Sequence, residues 1–596
     1  MPENKKNSKA NLDRRSFLKG AGATGAFAAL APGQSNSQTQ TTKPKSWMDK
    51  PDPIDEKVIA DAGQFDIVVV GAGTAGVLCA RVAAMNGASV AVLEAQSEAK
   101  YRHIGGEVGT VNSQWARDHG APEIDVEDFL REWARRNVTR HSPRRASYFV
   151  KNSGRIFDWV IKEMSPEWMA ENSHLMSLPP KPNVLMEVSG WKFYYGTTIF
   201  RKMTDPTPVW RWTDVMKTHQ RKSVAEGARW FFDHHAEICD ADRSGAVTGV
   251  IAKTSDGRYF RFHASKAVAL CAGDFAGNKQ MVIDILDLLR HSAEAQGDVN
   301  LVQTDVMAMI PRDGSSIKLG IWAGGHIEIG PRSTMGAGDP GSGEWYLQLD
   351  SNGERFCDEA AGTTIPVPRG GFTVTIHDAN YQKILEMMPP RHGAVDTAHT
   401  LKYPARLKLM AALKPGPPAP RKQAQARDLA SIMQDPEAEL AMSINNLYCA
   451  HTVEELLDYM GCYKGEARKK ALAEIERYNQ LCEKGVDEDF GKDPRILKVT
   501  ALKDPPFYGS VSKNDGSGIL SAISPGLCAT TGLDTDADGR VLSKEFKPIK
   551  GLYAAGNNAG NRYIVVYQSP IAGISLGMAM TEGYMLGEKL ANMKPE

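Results

Sequence analysis

The stretch that decides the fold is residues 65–94, which read FDIVVVGAGTAGVLCARVAAMNGASVAVLE. An apolar run at Ile67–Val70 meets a glycine cluster, apolar residues recur at helical spacing over Ala75–Met85, and a second β-branched run ends in an acid. Short apolar runs are typical of buried strands, and a 3.6-residue spacing is typical of a helix. The stretch therefore predicts a strand, a tight turn, a helix and a second strand.

The glycine turn has the spacing of a dinucleotide-binding site. Gly71 permits the sharp turn, Gly73 lets the backbone approach a pyrophosphate, and Gly76 lets the helix pack closely on the sheet. The helix N-terminus offers its N–H groups to phosphate oxygens. Glu94 follows about twenty residues on, where an acid binds a ribose hydroxyl. The alternative is a βα turn without a ligand, but the strand, helix and acid together favour a dinucleotide.

The composition bounds the class of the protein. At 596 residues, with 71 basic and 71 acidic side chains, the chain has material for two domains and no net charge. This balance does not indicate a nucleic-acid partner. The eight cysteines form no C-x-x-C pair and no Cys/His cluster at metal spacing, so we expect buried thiols without a metal, haem or iron–sulfur centre.

The N-terminus resembles a twin-arginine export signal. Arg14 and Arg15 follow three lysines and precede Phe17-Leu18-Lys19, and a glycine- and alanine-rich stretch runs to about Ala31. That stretch is too short to remain as a membrane-spanning helix. Residues 32–53, rich in Ser, Thr, Gln and Pro, have the composition of a disordered tether. We expect export by the twin-arginine route, which carries folded proteins, to the periplasm or the outer face of the cytoplasmic membrane.

Further glycine-rich turns occur along the chain. Residues 103–110, HIGGEVGT, form either a loop that passes close to a ring system or a plain surface loop. Val247–Lys253 and Tyr259–His263 alternate around a Ser-Asp-Gly turn like a β-meander, and Ala267–Leu270 reads as a separate buried strand. The closing stretch at 551–557, GLYAAGN, is a short strand that runs into a glycine turn. Such a return from the far C-terminus suits a long cofactor buried across the fold.

Four ordered motifs resemble the flavoprotein family of fumarate reductases, urocanate reductases and ketosteroid dehydrogenases. They are the glycine turn with Glu94, the strand end Ala272-Gly273-Asp274-Phe275, the helix start Asp313-Gly314, and GLYAAGN followed by GISLGMA at 573–579. The resemblance spans nearly the whole mature chain, although residues 325–525 match poorly. It implies FAD rather than NAD, bound by a doubly wound domain in two sequence pieces, with an inserted cap that closes over the flavin ring.

The predicted fold class is α/β, a two-piece Rossmann-like FAD-binding domain with an inserted α+β capping domain. We assign residues 1–53 to the signal and tether, 62–324 and 526–596 to the FAD-binding domain, and 325–525 to the capping and substrate domain. The composition changes in the last of these segments, which contains proline-rich breaks and two predicted charged helices, Val453–Tyr459 and Gly465–Lys484. We see no obvious attachment histidine, so we expect non-covalent FAD.

The predicted FAD-binding residues lie in the glycine turns, at strand ends and at the start of the last helix. The N-terminus of that helix would stabilise negative charge on a reduced flavin. The predicted residues are Gly71, Gly73, Thr74, Ala75, Gly76, Glu94, Gly105, Gly106, Gly109, Thr110, Ala272, Gly273, Asp313, Gly556, Asn557, Gly573, Ser575 and Leu576.

The carboxylate-binding pattern of the fumarate-reducing members is missing. Their substrate histidine falls at Cys528, their proton-delivering arginine falls at Thr363, and the acid and arginine upstream of it have no counterparts. Their loop arginine falls near Tyr567, with Arg562 five residues away. We therefore do not expect fumarate to be the substrate.

Tyr567 and Arg562 are the candidate donors to an activating carbonyl, whose oxygen gains charge in the transition state. A phenol stays protonated at neutral pH because its ordinary pKa is about 10, and it can also be the proton source. The alternative for each residue is a structural hydrogen bond. Arg332 and Tyr346, in the first glycine-rich stretch of the cap, are further catalytic candidates.

The expected function is an exported FAD-dependent reductase. Hydride from flavin N5 would go to an activated C=C bond of an α,β-unsaturated carbonyl or carboxylate compound, the small-molecule electron acceptor, and an acid would protonate the α-carbon. Electrons would come from a separate cytochrome or small flavoprotein. The alternative, favoured by the closing motif, is a ketosteroid-dehydrogenase-like enzyme that desaturates a ketone beside its carbonyl. A flavin-loaded binding protein without turnover is a third possibility.

Overall fold

The structure is a computed structural model, and it describes residues 46–176, 180, 182–202, 210–294, 297–304, 312–330, 332, 334–335, 345–360, 371–389, 411–418, 447–513, 528–563, 567 and 569–594. The twin-arginine pattern and Thr363 lie outside the described residues. In chain order the strands are β1 (Ile59–Val70), β2 (Val90–Glu94), β3 (Glu107–Gly109), β4 (Ser173–Leu175), β5 (Glu187–Val188), β6 (Trp191–Lys192), β7 (Thr197–Phe200), β8 (Arg229–Phe232), β9 (His234–Ala241), β10 (Val247–Thr254), β11 (Tyr259–Leu270), β12 (Thr334–Met335), β13 (Leu347–Leu349), β14 (Phe372–His377), β15 (Leu447–Ala450), β16 (Phe507–Lys513), β17 (Cys528–Ala529), β18 (Arg540–Leu542) and β19 (Pro548–Ala554). The helices are α1 (Thr74–Met85), α2 (Gln114–Asp118), α3 (Val126–Arg136), α4 (Pro143–Ile161), α5 (Pro166–Asn172), α6 (Trp212–Ala225), α7 (Lys279–Ile285), α8 (Asp287–Glu294), α9 (Ser315–Trp322), α10 (Tyr381–Met387), α11 (Val453–Met460), α12 (Gly465–Lys484), α13 (Pro494–Leu497) and α14 (Ile574–Ala591).

The main sheet has the strand order β18-β19-β11-β1-β2-β8, and β10 and β9 continue it from β11. The five strands from β19 to β8 run parallel, whereas β18, β10 and β9 pair antiparallel. The strand, helix and strand predicted within residues 65–94 are confirmed as β1, α1 and β2. Because β19 lies directly beside β11, the sheet joins two segments that are far apart in the sequence.

The prediction of two separate strands at Tyr259–His263 and Ala267–Leu270 is wrong, since both belong to β11. β1 is equally long and pairs with β11 over both halves. The polar pair between the halves stays in the strand because Ser265 Oγ donates to Asp66 Oδ1 and Lys266 Nζ lies 3.9 Å from the same carboxylate oxygen. Pairing with a neighbouring strand thus keeps Ser265 and Lys266 in the strand, although their polar side chains predict its end.

The centre of the sheet is apolar on both faces. Ile67 and Val69 of β1 pack into one buried cluster, and Val68 and Val70 pack into another on the opposite face. Successive side chains of a strand point to opposite faces, so helices on both faces demand an unbroken apolar run. This is why the motif at 67–70 does not alternate with polar residues.

The last helix packs on the first one through glycines. A Cβ on Gly583 would lie 2.3 Å from the carbonyl oxygen of Ala75, and one on Gly587 would lie 2.4 Å from that of Cys79. These pairs advance together along both helices, so α14 runs parallel to α1. The N-terminus of α14 therefore extends beyond the start of α1, toward the carboxyl ends of the parallel strands.

Residues 347–513 hold a second, antiparallel sheet with the strand order β13-β14-β16-β15. It has its own apolar cluster, to which α11 and α12 contribute Leu456 and Ile475. The two charged helices predicted in this region are confirmed as α11 and α12. The segment is therefore a mixed α and β unit with a core of its own.

An ion-pair network is buried inside this second unit. The side chains of Arg355, Glu359, Asp487 and Lys492 are 0 % exposed. Arg355 pairs with Glu359 at 2.9 Å and with Asp487 at 2.8 Å, and Lys492 Nζ lies 3.0 Å from Glu359. Two cations thus face two anions away from water.

Two linkers connect the second unit to the main sheet. The first linker, residues 325–335, runs beside the second linker, residues 528–535, through the bridge between Ile327 and Leu533 and the pairing of β12 with β17. Leu533 also bridges to Ala559, which follows β19. The linkers therefore lie against the loop that leaves the C-terminal strand.

Candidate active site

The glycine turn between β1 and α1 has no room for side chains at two positions. A Cβ on Gly71 would lie 2.4 Å from the Cα of Ala272, and one on Gly76 would lie 1.9 Å from the carbonyl oxygen of Gly71. Gly71 also has φ of +90°, which favours glycine. The helix that follows starts at Gly73 without a side-chain cap, so its first N–H groups suit phosphate oxygens.

Glu94 lies at the carboxyl end of β2, beside this turn. Its Oε2 accepts from the N–H of Ala72 at 2.9 Å, and its Oε1 accepts from the N–H of Gln96 at 2.8 Å. A carboxylate has about four acceptor positions, so a ribose hydroxyl can still donate to it. The two backbone bonds hold the acid where the sequence places a ribose ligand.

The second glycine-rich loop packs on the N-terminus of α14. The N–H of Gly109 donates to the carbonyl of Gly573 at 3.0 Å, and a Cβ on Gly577 would lie 1.9 Å from the carbonyl oxygen of Gly109. A Cβ on Gly105 would lie 3.7 Å from Leu576. Residues 105–110 and the start of α14 therefore pack directly on each other, and their contact with the flavin ring stays a prediction.

Four residues outside the predicted FAD-binding set hold the strand ends and the start of α1 in place. Asn558 Oδ1 accepts from the N–H of Gly273 at 3.3 Å, and its Nδ2 donates to the carbonyl of Leu270 at 2.8 Å. Ser316 Oγ accepts from the N–H of Ala272, Glu582 accepts from the N–H of Gly556, and Trp212 donates to Thr74. Only Asn558, which continues the predicted Gly556-Asn557 turn, carried a signal in the sequence.

Asp313 uses its carboxylate at the start of α9. It accepts from the N–H of Ser315 at 2.9 Å and from Nε2 of His235 at 3.0 Å, with Lys318 Nζ 3.4 Å away. These hydrogen bonds and charges hold the pKa of Asp313 below its usual range and raise the pKa of His235 to about 9. Asp313 therefore fixes the turn that begins α9, whose Ser316 accepts from the N–H of Ala272, and its role as a direct FAD ligand stays a prediction.

Arg562 is 1 % exposed and presents an unused donor. Its Nε donates to the carbonyl of Ala559 at 3.1 Å, and its Nη2 donates to Asn557 Oδ1 at 2.9 Å. Its Nη1 has no hydrogen-bond partner among the described residues. Asn557 Oδ1 also accepts from Ser575 Oγ at 3.0 Å, which ties Arg562 to the start of α14. A buried guanidinium whose Nη1 is unpartnered among the described residues fits a site that receives an anionic or carbonyl oxygen.

Tyr567 lies at the same helix end. Its phenol oxygen accepts from the N–H of Ser575 at 3.3 Å, and its ring lies 4.8 Å from the ring of Tyr563. Burial raises the pKa of Tyr567 well above its ordinary value, so it holds its proton at neutral pH. The structure thus brings Asn557, Arg562, Tyr567 and Ser575 together.

Cys528 lies among charged groups near Arg562. Burial raises the pKa of its thiol to about 12, against the nearby positive charges of Arg312 and Arg562. Arg312 also lies 3.5 Å from the carboxylate of Asp274, the acid that follows the β11 glycine turn. Cys528 is therefore a neutral thiol at neutral pH.

The structure places Tyr346 and Arg332 differently. Tyr346 is buried in the second unit, where its hydroxyl donates to the carbonyl of Tyr381 at 3.0 Å and its ring lies 4.4 Å from His377. Arg332 Nη1 donates to the carbonyl of Ile285 at 3.3 Å. Arg332 Nε is buried without a hydrogen-bond partner among the described residues, and the catalytic roles of both side chains stay predictions.

The residues present fit FAD. The acid at Glu94 suits the adenosine ribose, the helix N-terminus at Gly73 suits the pyrophosphate, and the loop at 105–110 with the N-terminus of α14 suits the flavin ring. Gly573 gives α14 no side-chain cap either, so its N–H groups suit a negatively charged ring edge.

Comparison with known sequences agrees with this site. A family model described as FAD binding domain matches residues 66–576, and a twin-arginine translocation signal model matches residues 11–31. The chain is 24 % identical to a vinyl phenol reductase of Lactiplantibacillus plantarum, over 89 % of this chain and 97 % of that protein. It is 24 % identical to an NADH:acrylate oxidoreductase of Vibrio harveyi, over 59 % of this chain but 29 % of that protein.

Solved structures share the fold. A 3-ketosteroid-Δ4-(5α)-dehydrogenase of Rhodococcus jostii is similar with a TM-score of 0.58 at 19 % identity, covering 90 % of this chain and 98 % of that one. A flavocytochrome c3 fumarate reductase in its open conformation is similar with a TM-score of 0.51 at 16 % identity, covering 94 % and 84 %. Within the described residues, no helix has the length and apolarity to cross a membrane.

Proposed function

The chain belongs to the FAD binding domain family, and we propose that this exported FAD-dependent oxidoreductase reduces an activated C=C bond. The observation that carries the proposal is that Nη1 of buried Arg562 has no hydrogen-bond partner among the described residues, while Asn557 and Ser575 connect Arg562 with Tyr567 at the N-terminus of α14. When bound, FAD supplies the hydride. The chain's own residues supply the polarisation, the proton and the shape of the site.

Arg562 and Tyr567 act on the activating oxygen of the substrate. In the transition state negative charge gathers on that oxygen, and donors held in place by Asn557 and Ser575 stabilise it without reorganising. The N–H of Ser575 donates to the phenol oxygen, which strengthens the phenol as a donor. Tyr567 then gives its proton to the α-carbon and recovers one from solvent, so that a hydride and a proton together convert C=C to CH–CH.

The substrate we propose is an α,β-unsaturated carbonyl or carboxylate compound, or a vinyl group conjugated to a phenol. Support comes from Nη1 of Arg562, which has no partner among the described residues, and from the neutral thiol of Cys528 at the position of the family's substrate histidine. The likeness to a vinyl phenol reductase over 97 % of that protein points in the same direction.

The second unit is proposed to cap the flavin. Residues 325–525 contain the antiparallel sheet with its own core, and two adjacent linkers join them to the FAD-binding residues 62–324 and 526–596. We propose non-covalent FAD and electrons from a separate cytochrome or small flavoprotein at the periplasmic side of the cytoplasmic membrane.

The test is reoxidation of the reduced flavin. The holoenzyme is reduced anaerobically with a low-potential dye and mixed with acrylate, a vinyl phenol and a range of enones and enoates, while the flavin absorbance is followed. We expect at least one compound to reoxidise the flavin with stoichiometric loss of its C=C bond. A reduced flavin that stays reduced with every compound contradicts the proposal.

The reverse reaction, desaturation of a ketone beside its carbonyl, is the second candidate. The observation that favours it is the pair of buried tyrosine rings, Tyr563 and Tyr567, four residues apart and 4.8 Å between centroids. Both hydroxyls contact α14, but that of Tyr563 donates to Met578 Sδ within the helix, whereas that of Tyr567 lies at Ser575 in its first turn. Rates measured in both directions with one enone and its saturated ketone decide between the candidates.

A further inference from the structure

Three chain segments meet at the carboxylate of Glu328, which is 1 % exposed. The backbone N–H of Glu328 donates to the carbonyl of Gly532 at 3.0 Å, and the N–H of Gly532 donates back to Oε1 at 3.1 Å. Oε2 accepts from the N–H of Asn561. One acid in the first linker therefore holds both the second linker and the residue before Arg562.

The surroundings of Glu328 are built for this contact. A Cβ on Gly560 would lie 2.9 Å from the Cβ of Glu328, and one on Gly532 would lie 2.5 Å from the carbonyl oxygen of Asn558. Glycine at both positions lets the loop after β19 reach the acid. The hydrogen bonds to the carboxylate thus come from backbone N–H groups.

Asn561 connects the Glu328 carboxylate with the candidate active site, because it directly precedes Arg562. Its φ is +62°, a left-handed conformation that asparagine adopts more readily than most residues. Its Nδ2 donates to Asp534 Oδ1 at 2.7 Å and to the carbonyl of Thr535 at 3.0 Å, both next to the second linker's glycine. The turn at Asn561 sets the direction in which Arg562 leaves the chain.

We propose that Glu328 is a positioning residue for Arg562: its carboxylate holds the left-handed turn at Asn561 and so directs the Arg562 guanidinium toward the ligand site. The inference rests on the proposed function only in giving Arg562 a substrate. An ionised carboxylate accepts from both N–H groups at once. A protonated acid or an amide accepts well at one oxygen and presents a hydrogen to the second donor.

The ionisation of Glu328 gives the proposal a pH readout. The charged groups that act on it are Arg562 on the loop and Arg145 of α4, while the pair of His326 and Asp534, whose Nε2 and Oδ2 lie 3.1 Å apart, belongs to the same two linkers. Burial raises the pKa of Glu328 to about 7 against the lowering effect of the two arginines and two backbone donors. The carboxylate forms as pH rises through neutrality, so correct positioning should increase over the same range.

The experiment compares Glu328→Gln and Glu328→Asp with the wild-type holoenzyme. Glu476→Gln, at an exposed position on α12, is the matched control for loss of a carboxylate. Amide hydrogen exchange of residues 528–535 and 558–563 is measured on the FAD-loaded proteins, and kcat and KM are measured from pH 5 to 9 with any compound that reoxidises the flavin.

We expect Glu328→Gln to increase exchange of both segments at least tenfold, to lower kcat/KM by about ten- to a hundredfold, and to remove a rise in kcat/KM near pH 7. Glu328→Asp should lower kcat/KM but keep the rise, because it keeps the charge and shortens the reach. Wild-type exchange in both variants overturns the proposal even if no compound is turned over. If a substrate is turned over and amide exchange in the variants is still unchanged, the positioning role of Glu328 is also overturned. If amide exchange is faster but no compound is turned over, the positioning role is supported and only the proposed function is contradicted.

Discussion

Replacing Tyr567 by Phe isolates one hydroxyl at the proposed site. The ring and its packing on Tyr563 are kept, so no cavity forms. The N–H of Ser575 loses an acceptor 3.3 Å away, which costs about 1–3 kcal/mol of folding stability when the group is buried. If the phenol donates to the activating oxygen, its loss lowers the rate of flavin reoxidation by about 10²–10³.

Tyr563→Phe is the matched control, because its hydroxyl donates to the weak acceptor Met578 Sδ instead. FAD content is read from the visible absorbance and the rate from anaerobic stopped-flow reoxidation with the best compound of the test series. A Tyr567→Phe enzyme that keeps its FAD and reoxidises at the wild-type rate removes Tyr567 from the site. Equal losses in both variants assign the effect to packing.

Three further outcomes test the fold and its charges. Gly76→Ala should purify with little or no FAD, as measured by the flavin-to-protein absorbance ratio, because its Cβ would lie 1.9 Å from the Gly71 carbonyl oxygen. Because the pKa of Glu328 is raised from 4.5 to about 7, the folded state holds this proton more tightly than the unfolded state. The resulting stabilisation of the folded state, roughly 3 kcal/mol, is fully present below pH 4.5 and is lost as the pH rises to about 7. Denaturant titrations at pH 5 and 8 should show this loss in the wild type and not in Glu328→Gln. Lys492→Met should cost about 3–5 kcal/mol because it strips a partner from buried Glu359, whereas Lys470→Met, in an exposed pair with Glu354, should leave the denaturation midpoint unchanged.

The sequence was most informative where a segment decides its own structure. The β1-α1-β2 unit was predictable because apolar spacing, glycine positions and the acid all lie within residues 65–94. The helix at 465–484 was predicted to the residue for the same reason. β11 was not, since its polar middle is held only by a partner strand far away in the sequence.

The site was partly predictable for a similar reason. Glycine turns and Glu94 mark themselves by spacing, and the resemblance drew attention to Arg562 and Tyr567. No nearby sequence pattern predicts a role for Glu328, which lies between two isoleucines. Its role depends on hydrogen bonds from Gly532 and Asn561, which are more than 200 residues away in the sequence. Ser316 and Glu582 escaped for the same reason.

The insertion of β19 beside β11 has a consequence for biosynthesis. A nascent chain that ends before Pro548 already contains the Gly71 turn and Glu94, but it lacks the neighbouring strand and all of α14. We therefore expect stable flavin binding to require the C-terminal segment, so that loading follows near-complete translation and precedes export by a route that carries folded proteins.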